Sequence, residues 1–286
     1  MKIGGVMFFT HYSMHPAALA RAMEDRGFES LWVPEHSHIP LSRTSEYPGT
    51  GGLVRAYYDL MDPFLALTAA ATATTRLKVG TGVCLVNQRD PIHLAKEVST
   101  IDLLSGGRFL FGVGNGWNRE EMENHGTTFE TRHKLVRERV EAMRAIWAED
   151  EPSYCGEFVK FDRMAQWPKP VQKPHPPIIV GGAYPYAARR AVRYGDGWIP
   201  RLDWVDQEGI DTVVDRFNTM AQTAGRDPST LPISLFRVPD DIARLRAYRD
   251  AGIARIVFSL PAEHESAIMP ILDRWALLQT RLENGG

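Results

Sequence analysis

Short apolar stretches of β type alternate with longer amphipathic ones along the whole chain. The pattern predicts strands over residues 3–9, 30–33, 77–86, 109–113, 178–180, 197–199, 233–236 and 256–260. Between them, apolar positions recur every three or four residues, the spacing of a helix with one buried face. These helices are expected over about 16–26, 63–74, 91–105, 131–148, 185–194, 205–224, 241–252 and 264–282. Asp62-Pro63 and Asp90-Pro91 each set a capping carboxylate before a proline at the first helical position, which marks two helix starts. Gly27, Gly106-Gly107 and Gly252 mark helix ends.

Alternation of strand and helix implies parallel strands, because each helix is the crossover that returns the chain to the same edge. Eight such units in 286 residues, with no break in composition, predict one domain over 1–286 folded as a closed (β/α)8 TIM barrel. An open doubly wound sheet is the alternative, and its first turn would carry a glycine fingerprint. The first strand here runs into Phe9-Thr10-His11 instead.

Two segments are longer than ordinary connections. Residues 34–61 follow the second strand, so in a barrel they stand on the active face. Their length and tyrosines (Tyr47, Tyr57, Tyr58) suggest a lid or pocket wall. Residues 151–177 precede the fifth strand and are expected at the opposite face, as a hairpin over 154–161 and a proline-rich extended run that brace the barrel.

Charge narrows the function. The 33 basic and 35 acidic residues give a net −2, which argues against a dedicated nucleic-acid binder. Two unrelated cysteines, Cys84 and Cys155, build no disulfide framework, so a reducing, cytoplasmic setting is expected. The first residues lack a signal-peptide cleavage site, and no apolar run reaches the roughly 18 residues of a membrane span.

In a barrel the chemistry gathers just past the strands. Those positions hold Thr10 and His11, then Glu35, His36 and His38, then Asn87 and Gln88, then Asn115, Gly116 and Trp117. Later strands deliver Gly181, Gly182, Ala183 and Tyr184, then Arg201, Arg237 and Ser259. His36-x-His38 could be a metal pair, yet no further His, Asp or Glu stands at a later strand end to complete a zinc site, so no metal is expected. No G-x-S-x-G elbow supports a serine hydrolase, and Cys84 in an alternating strand reads as a small buried hydrophobe. Gly181-Gly182-Ala183-Tyr184 before a helix fits a phosphate site, or else a tight turn. An imidazole can take up or release a proton, so His36 can handle one; the plain alternative is a hydrogen-bonded loop histidine. Trp117 either walls a pocket or packs the rim.

At these residues the chain resembles the bacterial luciferase-like superfamily of flavin and deazaflavin oxidoreductases, over nearly its whole length. The resemblance rests on residues 28–36 (FESLWVPEH), 79–83 (VGTGV), Asp90-Pro91, 104–109 (LSGGRF), 112–117 (GVGNGW), Gly181-Gly182 and 195–198 (GDGW). The wording is most similar to the branch that uses coenzyme F420. That resemblance implies hydride transfer at a deazaflavin ring, a homodimer and a small-molecule substrate. It assigns His36 and Glu35 to catalysis, the ring to a strand-three bulge at Gly82 and Val83 with a cis peptide between them, and Asn115 and Trp117 to the cofactor pocket. It maps the phosphate to Gly181, Gly182, Ala183 and Tyr184. An FMN-dependent monooxygenase supplied by a partner reductase is the alternative, and a non-catalytic cofactor-binding protein the second.

Overall fold

The computed structural model describes residues 1–49 and 52–284 and contains the eight expected strands, all parallel. In chain order they are β1 (Lys2–Met7), β2 (Ser30–Val33), β3 (Lys78–Thr81), a short continuation β4 (Cys84–Leu85) and β5 (Phe109–Gly114). A small antiparallel pair, β6 (Tyr154–Cys155) and β7 (Lys160–Phe161), intervenes. Then come β8 (Ile178–Gly181), β9 (Gly197–Ile199), β10 (Ser234–Phe236) and β11 (Arg255–Leu260). The sheet order is β10-β11-β1-β2-β3-β5-β8-β9, and a parallel bridge from Trp198 to Ile233 joins its two ends. The expected barrel is the fold observed.

Strands buried on both faces explain the continuous apolar runs. Val6, Trp32, Leu110, Ile179, Ile199 and Val257 fill the barrel interior, while neighbours such as Leu31, Val33, Phe109 and Phe111 pack outward against the helices. Those helices are α1 (Pro16–Asp25), α2 (Pro63–Thr72), α3 (Pro91–Leu104), α4 (Arg119–Asn124), α5 (Arg132–Ala148), α6 (Tyr186–Tyr194), α7 (Leu202–Glu208), α8 (Ile210–Thr223), α9 (Ile242–Asp250) and α10 (Glu265–Asn284). Asp62 accepts from the Phe64 and Leu65 amides, and Asp90 from those of Ile92 and His93, so both predicted caps form.

The structure corrects the reading in four places. The run over 77–86 is two strands, separated at Gly82–Val83 where the resemblance placed a bulge. The helix over 205–224 is α7 and α8, broken at Gly209, whose φ of 84° no ordinary helical residue adopts. The six-residue α4, too short to show an apolar stripe, was not expected. Finally, the β6–β7 hairpin lies along the outer flank of α5: the buried Glu138 carboxylate accepts the amides of Glu157, Phe158 and Val159. Only the proline-rich run sits where 151–177 was expected as a whole, with Gln172 bonded to the Phe109 carbonyl at the start of β5. Among the described residues no helix is long and apolar enough to cross a membrane.

Candidate active site

The chain leaves β2 at Val33 and turns through Glu35 and His36. Glu35 is buried; one carboxylate oxygen accepts the Leu85 amide at 2.6 Å and the other the Arg89 guanidinium at 2.6 Å. Arg89 also reaches Asp62 at 2.6 Å and Glu97 at 3.0 Å. Burial works against its charge, but Glu35 and Asp62 outweigh it and raise its pKa. Glu35 therefore ties the exit of β2 to β4 and to the start of α2. Next to it, burial first and the Glu35 charge second push the Cys84 thiol well up, which makes it an inert hydrophobe.

Between β3 and β4 the Gly82–Val83 peptide is cis. The Val83 side chain lies between Gly114 and Gly181: a Cβ at Gly114 would stand 2.4 Å from it and one at Gly181 2.9 Å. Only glycine fits at those two strand ends, and the floor there is correspondingly low and uncharged.

His36 continues from Glu35 onto the open face. Its Nδ1 is 2.7 Å from Oε2 of Glu121, a side chain with no exposed surface. The other oxygen of Glu121 accepts the Ser37 amide at 3.0 Å. Among the described residues His36 Nε2 has no partner. Glu121 arrives on α4, whose N-cap Asn118 accepts the Glu121 amide. Ser37 also bonds His125 at 2.7 Å and His38 at 2.9 Å.

The loop after β2 crosses the mouth. Glu120 Oε1 accepts the Thr44 and Ser45 amides at 2.6 and 3.0 Å. These contacts overcome its burial and hold its carboxyl well below the usual range. Farther on, the rings of His36, Tyr57, Tyr47 and Trp117 form a closed cycle, each neighbouring pair 5.4 to 5.7 Å apart. The Tyr47 and Tyr57 hydroxyls share a 2.7 Å hydrogen bond, and Arg237 at the end of β10 donates to both at 3.4 Å. Arg201 donates to the Pro48 carbonyl at 3.1 Å. Arg237 is the one non-glycine residue described with a positive φ, 62°, a conformation that costs an L-residue roughly 1–2 kcal/mol.

The other side of the mouth is positively charged. Gly182, with φ 132°, lies against Arg190, and its carbonyl accepts the Trp198 indole N–H at 3.1 Å. Arg190 Nε is buried without a partner. Burial and the guanidiniums of Arg132 and Arg190 push the His133 imidazole down to about 4. Among the described residues neither arginine has a carboxylate within ion-pair distance. Ala183 is exposed, and the Tyr184 ring stacks on Trp204 at 4.7 Å, so that ring is used in packing.

Several buried polar atoms at this end of the barrel lack partners: Thr10 Oγ1, Asn87 Oδ1, both amide atoms of Gln88 and Asn115 Nδ2. Native interiors rarely leave such groups unpaired, so they point to a polar ligand. The structure thus groups Glu35, His36, Gly82, Val83, Asn115, Trp117 and Gly181 at one mouth, with Gly182 and Ala183 at its cationic margin. The sequence reading missed Glu121, Arg190 and Arg132. Glu121 had a visible signal, since Asn118-x-x-Glu121 is a helix-start pattern just past a strand.

Residues 13–268 match the family described as luciferase-like monooxygenase. An uncharacterized Mycobacterium tuberculosis protein is 40% identical over 271 residues, 91% of this chain and 92% of its own. The F420-dependent hydroxymycolic acid dehydrogenase of the same organism is 30% identical over 236 residues, 80% of this chain and 61% of that one. The FMNH2-dependent dimethylsulfone monooxygenase of Pseudomonas putida is 33% identical over 160 residues, 55% and 43% respectively. The solved monooxygenase RslO1 from Streptomyces bottropensis superposes with a TM-score of 0.79 at 21% identity, covering 98% of this chain and 99% of its own.

Proposed function

This chain belongs to the luciferase-like monooxygenase family, and on that premise we propose that it is an oxidoreductase moving a hydride between coenzyme F420 and a small organic substrate. The observation that carries the proposal is the His36–Glu121 pair beside the glycine-flanked bulge at Gly82–Val83. In this reading Gly82, Val83, Asn115 and Trp117 hold the coenzyme's ring. Gly181 and the Gly182, Ala183 and Tyr184 backbone, with Arg190 and Arg132, hold its phosphate. The unpaired amides and guanidiniums are the groups such a polyanionic coenzyme would satisfy. When bound, it supplies the hydride donor or acceptor.

The chain's own part is the proton. Glu121 accepts the Ser37 amide on one oxygen and the His36 Nδ1–H on the other, which turns His36 Nε2 toward the substrate. There Nε2 takes a proton from a hydroxyl being oxidised, or gives one to a carbonyl being reduced. Such help is worth roughly 10²–10⁴ in rate. Glu35, with both oxygens engaged, acts as a positioning residue that fixes the bulge and aims His36. A homodimer is part of the same proposal.

An FMN-dependent monooxygenase is the second reading, favoured by the Pseudomonas relative. The F420-dependent relative matches a longer stretch of the chain, which supports F420. Side-by-side titration decides between them. Micromolar or tighter F420 binding, at least about −8 kcal/mol, with weaker FMN binding is expected. Equal or reversed affinities, or turnover that requires oxygen, would replace this reading with the monooxygenase.

A further inference from the structure

Most cations at the rim of the barrel mouth are answered by carboxylates. Arg89 has Glu35, Asp62 and Glu97, and Arg201 has Asp203. Arg244, farther along the rim, has Asp206. Arg237 has none among the described residues. Its partners are two phenols at 3.4 Å, long for donors that prefer about 2.7–3.2 Å. The residue itself is exposed at the mouth, and two long bonds to phenols leave its charge without an anion.

The backbone gives a second, independent sign. Glycine would meet a φ of 62° without strain, yet this chain has an arginine there. Strained positions persist where the surroundings require them, and they gather at ligand sites. The effect of this one is to aim the side chain at Tyr47 and Tyr57 on the crossing loop, next to His36.

The two phenols show what the place favours. Burial pushes the Tyr57 hydroxyl up to about 12, so it stays protonated and donates. Burial also opposes ionisation of Tyr47, but the Tyr57 hydrogen bond and Arg237 outweigh it and draw its pKa below the ordinary phenol. An oxyanion is therefore stabilised where the Tyr47 oxygen lies. A planar anion in that place would take parallel hydrogen bonds from Arg237 Nη1 and Nη2, the fork geometry that carboxylates satisfy.

We infer that Arg237 and Tyr57 form a subsite that reads a carboxylate on the substrate, in the place the Tyr47 hydroxyl occupies here. The inference rests on the mouth being an oxidoreductase active site and deepens that reading: the small organic substrate is an acid. Its ring-lined surroundings, Trp117, Tyr57 and His36, suit a planar or aromatic body. A single guanidinium whose two Nη atoms meet only phenols matches a monoanion, whereas the paired arginines beside Gly182 match a phosphate.

Benzoate and benzamide, alike in shape and different in charge, test it by calorimetric titration with and without F420. Benzoate should bind at millimolar concentrations or below, at least about tenfold tighter than benzamide. Arg237→Met should erase that preference, Arg237→Lys should keep part of it, and Arg190→Met should leave it intact. F420 affinity should be unchanged in Arg237→Met. The inference is overturned if benzoate does not bind, if the two probes bind alike, or if the preference survives Arg237→Met. It is equally overturned if F420 binding falls with Arg237→Met, because the arginine would then belong to the cofactor. If F420 does not bind at all while the cofactor-free protein still prefers benzoate, the cofactor reading fails and the carboxylate subsite stands.

Discussion

The two halves of the barrel mouth treat charge in opposite ways. On the side of β2, β3 and β5, Glu35 is held by Arg89, Arg89 also holds Asp62 and Glu97, and Glu121 holds His36. On the side of β8 to β10, Arg201 and Arg244 keep Asp203 and Asp206, but among the described residues Arg190, Arg132 and Arg237 have no carboxylate in contact, and His133 stands against two of these cations. A compensated network keeps its geometry whether or not a ligand is present. An uncompensated set of cations carries repulsion that only an incoming anion relieves. On the proposed function the first half handles the proton and the second holds the phosphate, and substitutions should separate the two.

The largest effect is expected at His36. His36→Ala should lower turnover by roughly 10²–10⁴ while F420 affinity shifts by less than about tenfold. Turnover that survives intact would make His36 a structural loop residue. Loss of binding in step with turnover would mean that His36 itself holds the cofactor, and the contrast would dissolve.

Arg89 comes next. Arg89→Met leaves Glu35, with 5% of its side chain exposed, without its counter-charge. Removing one partner of a buried pair costs about 3–5 kcal/mol, to be read from the denaturant midpoint at unchanged slope. A loss under about 1 kcal/mol would show that the pair is a surface bridge in effect.

Arg190→Met should do the reverse. With no protein partner to strand, stability should stay within about 0.5 kcal/mol. F420 should bind about 10- to 100-fold more weakly, the worth of one charge-assisted hydrogen bond. A destabilised variant with normal affinity would place Arg190 in the fold and not at the ligand.

The smallest effect is a pH dependence. The His133 pKa in the folded protein, about 4, lies below its ordinary 6.5. Above about 6.5 both states are neutral there; as pH falls toward 4 the unfolded chain binds the proton first, so stability is lost through that window. An anion between Arg132 and Arg190 relieves their repulsion and lets His133 take up the proton. F420 affinity should therefore rise a few-fold from about pH 7 to about pH 5 in the native chain and stay flat in His133→Gln. Affinity that falls in both would remove His133 from the anion site.

The sequence carried the architecture because the barrel strands are buried on both faces and most helices have a capping side chain or a glycine stop. The break at Gly82–Val83 was legible only through the family resemblance, since the alternation through 77–86 is continuous and the break depends on Gly114 and Gly181 from other strands. His36, Trp117 and Gly182 were legible because barrel geometry singles out strand ends. Glu121 was missed because α4 is six residues long and mostly polar, without periodicity to reveal its buried side. Arg190 and Arg132 read as ordinary solvated helix charges, and only the folded chain shows that among the described residues no carboxylate is in contact with them.

The two cysteines have a practical consequence. Cys84 is fully enclosed with its thiol pushed up, while Cys155 is exposed on the hairpin along the outer flank of α5. A maleimide dye or a surface tether should therefore attach to the unaltered chain at one position, on the hairpin beside α5. Immobilisation through Cys155 would hold every molecule at the same point, so cofactor and probe exchange could be followed on a single, uniformly attached layer of protein.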